Sequence, residues 1–230
     1  MATLLNIGSR TIGVNKEPWS ALTHFLGFLA AIAGAIVLAV HTAHDLPQLI
    51  AMSIYGVSLM ALFLASSVYH FLDLGEQGNE FLRRLDHAAI FMLIGGSYVP
   101  SMVYLLDGAW RVVMLCVVGG IALMGVLFKM VFYDAHEDSK AGTILYVAMG
   151  WLVVIPAYKI WPIISVTSLA WLVAGGLAYT FGAIIYAKRW PDPWPDTFGH
   201  HEVWHLFVLA GATLHYFFAV SLLGTQYTPF

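Results

Sequence analysis

Charged residues are scarce in this chain, and long polar stretches are missing. Asp, Glu, Lys and Arg make up only 10% of the residues, whereas 60% are hydrophobic. Soluble domains carry about 25% charged residues because they must cover a water-facing surface. The composition therefore excludes an ordinary soluble domain and predicts a protein embedded in lipid. The net charge of −3 and the lack of a basic cluster give no indication of nucleic-acid binding.

Cysteine is almost absent as well. Cys116 stands alone, which excludes an intramolecular disulfide and a thiolate metal cluster. The first sixteen residues lack the successive sections of a signal peptide, and the first apolar run is too long for one. We therefore expect that run to remain as a helix.

Long apolar runs dominate what is present. A membrane-spanning helix needs about 20 mostly apolar residues, and seven such runs occur, at about 19–43, 47–72, 87–106, 110–130, 142–160, 162–187 and 201–223. All connections between them are short. The sequence thus predicts an all-α membrane protein in which residues 1–230 form a single seven-helix transmembrane domain.

The distribution of Lys and Arg predicts the orientation of this bundle. Eight of the ten lie on the side of the N-terminus, and only Arg111 and Lys159 lie on the opposite side. The eight are Arg10, Lys16, Arg83, Arg84, Lys129, Lys140, Lys188 and Arg189. Because cytoplasmic loops are enriched in Lys and Arg, we expect a cytoplasmic N-terminus and an external C-terminus.

Ionisable residues from three distant segments reach the same predicted depth, near the cytoplasmic side. The second run ends in Ser66-Ser67-Val68-Tyr69-His70, the third begins near Asp86-His87, and the seventh begins with His201-Glu202-Val203-Trp204-His205. Histidines four residues apart share one helix face, which suits two ligands of a single metal ion. Polar groups inside a membrane are costly unless they are paired or coordinated.

These residue types predict a zinc site. Three imidazoles with an open fourth position are typical of catalytic Zn²⁺, so we assign His70, His201 and His205 as ligands. Asp86 is assigned to the zinc-bound water and Ser66 to a supporting hydroxyl. Each assignment has an alternative without a metal ion. His201 and His205 could be a chance HxxxH motif, and His70 could be an interfacial histidine. Asp86 could pair with Arg83, and Ser66 could be an ordinary packing residue.

Other residues are weaker candidates. His200 points about 100° away from His201 and is more typical of an interfacial group. His24, with Glu17 before it, is a candidate for a supporting role but fits a structural one better, and His215 fits a hydrogen-bonded packing residue. The pairs Gly95-Gly96, Gly119-Gly120 and Gly175-Gly176 predict close helix approach.

A set of short motifs covers nearly the whole chain in a fixed order. They are Ser66-x-x-x-His70, Leu85-Asp86-His87-Ala88-Ala89-Ile90-Phe91, Gly95-Gly96-Ser97-Tyr98-Val99-Pro100 and His201-x-x-x-His205. This set resembles the hemolysin III family, the bacterial branch of the progestin and adipoQ receptor superfamily. Many bacterial members have Asn at the positions of Ser20 and His200, where no ligand is proposed.

The resemblance implies several properties. It implies seven helices, a zinc ion on His70, His201 and His205, and an aspartate at Asp86 that contacts the zinc-bound water. It also implies a multi-pass location in the bacterial plasma (inner) membrane. The same Ser, Asp and three His recur in related membrane hydrolases such as alkaline ceramidases.

Three functions compete at this stage. The first is a zinc-dependent hydrolase of lipid amides or esters with a role in membrane lipid homeostasis. The second is a membrane sensor or receptor in which zinc is structural, and the third and weakest is a cytolysin. For all of them we expect membrane lipid as the partner, with no nucleic acid and no obligate protein partner.

Overall fold

The computed structural model describes residues 3–7, 10–14, 16–132, 140–195 and 197–223, and it is a bundle of long helices. Within these residues, six helices are long and apolar enough to cross a membrane: α1 (Pro18–Thr42), α2 (Leu46–Phe71), α3 (Gly75–Leu105), α4 (Gly108–Val131), α7 (Val166–Lys188) and α8 (His200–Leu222). A shorter apolar segment stands between α4 and α7. The predicted all-α, seven-helix membrane bundle is confirmed. Its orientation relative to the cytoplasm stays a prediction.

The fifth predicted span, at 142–160, is not one continuous helix. It consists of α5 (Lys140–Gly150), a 3₁₀ turn (Trp151–Val154) and the short α6 (Ala157–Ile160). Pro156 lacks an N–H group and so interrupts the helical hydrogen-bond ladder. The Tyr98 hydroxyl stabilises the break: it accepts from the Val153 amide at 2.8 Å and lies 2.7 Å from the Gly150 carbonyl oxygen, to which it donates.

The third span begins earlier than the sequence indicated. Residues from Gly75 onward, predicted as a polar connection, form the first turns of α3. The Asp73 carboxylate accepts hydrogen bonds from the Asn79 side chain at 2.7 Å and from the Gly75 amide at 3.1 Å. These bonds lower the pKa of Asp73, the Asn79 bond being the larger cause. Glu76 in the first turn also suits the helix dipole.

A small antiparallel sheet, which the sequence did not predict, fixes the N-terminal segment. Strand β1 (Thr3–Ile7) pairs with β2 (Arg10–Val14), and β2 pairs with β3 (Leu72–Asp73) directly after α2. The start of α1 therefore lies on the same face of the bundle as the end of α2. This agrees with the Lys and Arg count, which also assigns both to one side.

Helix α3 lies at the centre of the bundle. Of its most apolar stretch, 67% is buried, compared with 22% for α1, α4 and α7. The outer helices expose large apolar side chains, as lipid-facing surfaces should: Leu26, Ile36, Val40, Leu123, Met124 and Phe181. Lipid thus replaces water as the solvent for most of the surface.

The predicted role of the glycine pairs is only partly confirmed. A Cβ atom at Gly95 would lie 2.8 Å from the Ala122 Cβ, and one at Gly96 or Gly175 would overlap a neighbouring side chain. Close helix approach is therefore correct for these three. It is wrong for Gly119, Gly120 and Gly176, where an added Cβ atom would have no other described part of the chain within 4 Å.

Candidate metal centre

Three histidines from two helices meet at one end of the bundle. His70 stands in the last turn of α2, and His201 and His205 stand in the first two turns of α8. Their nearest ring nitrogens all lie within 4.8 Å of one another, and the two Nε2 atoms of His70 and His201 are 3.4 Å apart. His70 and His205 are buried, with 1% and 2% exposure. This cluster can hold a metal ion.

Glu17 holds the His70 ring in place. Its carboxylate accepts a hydrogen bond from the His70 Nδ1–H at 2.6 Å, and its backbone amide donates to the His70 carbonyl at 2.9 Å. When Nδ1 carries the proton, the Nε2 lone pair is free and faces His201. A carboxylate that orients a histidine ligand in this way is a common support of metal sites.

The hydrogen bond also determines the charge of Glu17. Burial raises the pKa of its carboxyl group, but the hydrogen bond from His70 and the charges of nearby cationic groups lower it by more. The net pKa lies below its ordinary value, so the carboxylate is ionised at neutral pH. The site therefore keeps a negative charge beside His70.

His205, a further histidine of the cluster, is held in place by stacking against His24. The ring of His24, on α1, lies face to face with that of His205, with centroids 3.7 Å apart and an interplanar angle of 14°. Phe63 packs edge-on against His24 at 5.2 Å. Both rings are buried, and each also lies against a backbone group, His24 against that of His205 and His205 against that of Ser20.

Glu202 sets the orientation of α8. It accepts a hydrogen bond from the Ser20 hydroxyl at 2.8 Å and one from the Gly199 amide at 2.8 Å. It thus joins α8 to α1 and satisfies the first turn of its own helix. The neighbouring His200 interacts instead with Asp192, which accepts its backbone N–H at 3.0 Å. His200 therefore stands apart from the cluster, as the helix geometry predicts.

Asp86 and Ser66 line the same cavity as the histidines. Asp86 stands on α3 and is partly buried, and the Ser66 hydroxyl of α2 lies close to its carboxylate. The Asp86 carboxylate is not part of the cluster of His70, His201 and His205, whose ring nitrogens lie within 4.8 Å of one another. Its position suits a carboxylate that acts on a molecule held next to the cluster.

A cavity of about 620 Å³ extends from this cluster into the bundle. Polar groups surround it near the histidines, while Leu62, Ile90, Leu93 and Val208 are among the apolar residues farther along its wall. A cavity of this size falls in the range of small-molecule sites, about 300–1,000 Å³. The fold and the site together define a multi-pass membrane protein with a buried histidine cluster at the polar end of a large cavity.

Comparisons with known proteins identify the family. The model of the family "Haemolysin-III related" matches residues 12–216. Hemolysin-3 of Bacillus cereus is 31% identical over 206 residues, which is 89% of this chain and 90% of the relative. The Hemolysin-3 homolog of Bacillus subtilis is 30% identical over 89% of this chain and 92% of its own length. The chain belongs to the Haemolysin-III related family.

More distant relatives include receptors. The Adiponectin receptor protein of Drosophila melanogaster is 29% identical over 225 residues, or 88% of this chain and 50% of that protein. The resemblance to the hemolysin III family and to its wider superfamily is confirmed.

The structure brings together most of the residues that the sequence singled out. His70, His201 and His205 form the cluster, and Asp86 and Ser66 face the same cavity. Their roles as ligands, base and support stay predictions. The sequence assigned Glu17 no partner, and the structure shows that its partner is His70. This pair could have been suspected from the sequence, because Glu17 and His70 stand at the same predicted end of neighbouring spans. His215 is the hydrogen-bonded packing residue that was predicted, with Nε2 3.2 Å from the Leu172 carbonyl oxygen.

Proposed function

We propose that this protein binds Zn²⁺ through His70, His201 and His205 and hydrolyses amide or ester bonds of membrane lipids. The observation that carries the metal assignment is the separation of 3.4 Å between the Nε2 atoms of His70 and His201. Two nitrogens bound to one tetrahedral zinc at 2.0–2.1 Å stand about 3.4 Å apart. An N–H···O hydrogen bond is usually shorter, at about 2.7–3.2 Å.

The donor set supports a catalytic type of site. Structural zinc sites are usually closed by four protein ligands, whereas three protein ligands leave one position open. Three histidines form the cluster within the part of the chain that the structure describes. When bound, zinc supplies a Lewis acid that brings the pKa of a water molecule close to neutrality.

The residues around the cluster have distinct tasks in this proposal. Asp86 accepts a proton from the attacking water and delivers it to the leaving group. The Ser66 hydroxyl, which lies close to Asp86, holds the carboxylate in position. Glu17 keeps Nε2 of His70 directed at the cluster.

The substrate class follows from the cavity. A polar end with histidine and carboxylate side chains continues into an apolar interior, which fits the linkage and the acyl chain of a lipid. We place the protein in the bacterial plasma (inner) membrane, with the N-terminus and the histidine cluster on the cytoplasmic side. A role in membrane lipid homeostasis follows from hydrolysis of such lipids.

The decisive experiment measures fatty-acid release by the purified full-length protein in lipid nanodiscs. Ceramides, phospholipids and lysophospholipids are supplied in turn, with and without a zinc chelator. We expect release from at least one class, abolished by chelator and by His201→Ala, and lowered by about 10²–10⁴-fold in Asp86→Asn.

Metal content is measured on the same samples. We expect about one zinc ion per chain in the wild type and in Asp86→Asn, and none in His70→Ala or His205→Ala. His200→Ala is the matched control, because this histidine begins the same helix but its Nδ1 lies 3.6 Å from the Asp192 carboxylate and it is not part of the cluster. If no lipid class is cleaved in a manner that depends on His201, the hydrolase proposal is wrong.

A second candidate is a sensor in which zinc fastens helices together. Helix α2 packs mainly on α1 and α3, while α8 packs mainly on α7. An ion between His70 and His201 would join two helices with little direct contact, and one relative is named a receptor. This function predicts that removing zinc lowers the melting temperature sharply while Asp86→Asn has no effect on stability or phenotype. Leakage from liposomes, measured in parallel, tests the cytolysin.

A further inference from the structure

The cavity contains a second group of polar side chains, remote from the histidine cluster. Tyr55 of α2, Tyr179 of α7 and His215 of α8 line its wall. His215 follows His205 by ten residues on the same helix, which corresponds to about 15 Å along the axis. One continuous cavity thus has a polar group at each of two depths.

Tyr55 is the key member of this second group. Its side chain is 1% exposed, and its hydroxyl has no hydrogen-bond partner within the described ranges. Its electrostatic neighbours are Tyr179 and Tyr216, which are themselves phenols. A buried hydroxyl without a partner is unfavourable, and such groups in native proteins usually serve a bound molecule or water. Phenylalanine would fill the same space at no such cost.

The other two members of this group, His215 and Tyr179, are held rigidly. The His215 Nε2 donates to the Leu172 carbonyl at 3.2 Å, and the ring packs against Gly175, where no side chain would fit. The Tyr179 ring packs against Gly211 and lies 5.4 Å from His215, edge to face. Both contacts rely on glycines, so α7 and α8 approach closely here. The polar group is therefore preformed.

We propose that Tyr55, with Tyr179 and His215 around it, binds a hydroxyl group carried on the distal half of a lipid acyl chain. This inference rests on the proposed function, which places the acyl carbonyl group at the histidine cluster. The chain then runs along α8 toward His215, about 15 Å from His205, and toward Tyr55, which precedes His70 by about 22 Å along α2. A hydroxyl about 15–22 Å from the carbonyl therefore reaches this group. An unsubstituted chain leaves that phenol unpaired, and the site therefore selects hydroxylated chains.

Binding of three fatty acids to the zinc-loaded protein in nanodiscs tests the proposal. They are stearic acid, hydroxystearic acid with the hydroxyl next to the carboxylate, and hydroxystearic acid with the hydroxyl beyond the middle of the chain. We expect the last to bind about fivefold more tightly than stearic acid, which corresponds to one additional hydrogen bond. The acid with the proximal hydroxyl should gain nothing at this group.

Variants identify the residue responsible. Tyr55→Phe should abolish the preference for the distal hydroxyl and leave stearic acid affinity unchanged, and Tyr179→Phe serves as a second variant should the first fold poorly. Tyr104→Phe is the matched control, because its hydroxyl bonds to Gln48 at 2.6 Å and is not part of the cavity wall. Equal affinities for distal hydroxystearic and stearic acids in the wild type, as expected if Tyr55 bonds only to water, would overturn the proposal.

The same assay separates this inference from the proposed function. Binding preference is measured without any turnover. If the protein prefers the distal hydroxyl but cleaves no lipid, the hydrolase proposal is wrong and the proposed role of the second polar group stands. If the protein cleaves lipids in a manner that depends on His201 but does not prefer the distal hydroxyl, only the proposed role of the second polar group is wrong.

Discussion

Replacing Glu17 by glutamine isolates the contribution of one hydrogen bond to metal affinity. The Glu17 carboxylate accepts from the Nδ1–H of His70 at 2.6 Å, and no metal ligand itself is altered by the change. Glutamine keeps an oxygen that can accept this bond but loses the negative charge. Charge-assisted hydrogen bonds are roughly twice as strong as neutral ones, so His70 becomes a poorer ligand.

The expected loss follows from comparable sites and from the exposure of Glu17. Changes in the carboxylates that support histidine ligands lower metal affinity by about 10–100-fold, or about 1.4–2.7 kcal/mol. The Glu17 side chain is 41% exposed, so solvent screens part of its charge. We therefore expect a loss near the lower limit, about tenfold. Competition against a chromophoric zinc chelator, at neutral pH in detergent, measures it.

Glu202→Gln provides the control. It removes a second carboxylate at the same end of the bundle, but one that bonds to Ser20 and to the Gly199 amide rather than to a histidine ring. Its zinc affinity should stay close to that of the wild type. If both variants lose affinity equally, overall charge rather than the bond to His70 is responsible. If Glu17→Gln loses less than about twofold, the supporting role of Glu17 is refuted.

Three further outcomes are expected. Tyr98→Phe removes the hydroxyl that bonds to Gly150 and Val153 at the break in the fifth span. The free energy of unfolding, measured by thermal unfolding, should therefore fall by about 1–3 kcal/mol. Gly125→Ala should lower the melting temperature because the new methyl group would overlap the Phe91 ring, whereas Gly119→Ala, with nothing within 4 Å, should not. Zinc affinity, measured by the same chelator competition, should fall as the pH is lowered, because protonated imidazole cannot bind a metal.

The helices could be predicted from the sequence because their signal is local. Each apolar run long enough to cross a bilayer appears directly in the composition, and the spacing of His201 and His205 places both on one face of α8. The break in the fifth span is different. It depends partly on Pro156, which is visible, and partly on the hydroxyl of Tyr98, which is 55 residues away from Val153 along the chain.

The supporting contacts of the site could not be read in the same way. The partner of Glu17 is 53 residues distant, and the stacking of His24 on His205 requires the relative depth and rotation of α1 and α8. Apolar periodicity indicates which residues form a helix but leaves its rotation uncertain when most faces contact lipid or protein. Ligand types and their shared depth were therefore predictable, whereas their hydrogen-bond and stacking partners were not.

The position of the histidines along the chain also has a consequence for biosynthesis. His70 is made before His201 and His205, which belong to α8. The cluster cannot form until α8 has left the ribosome and entered the bilayer beside the earlier helices. Uptake of the proposed metal ion therefore follows the insertion of α8, and any premature stop codon before α8 yields a protein without the centre, however many of its helices are inserted.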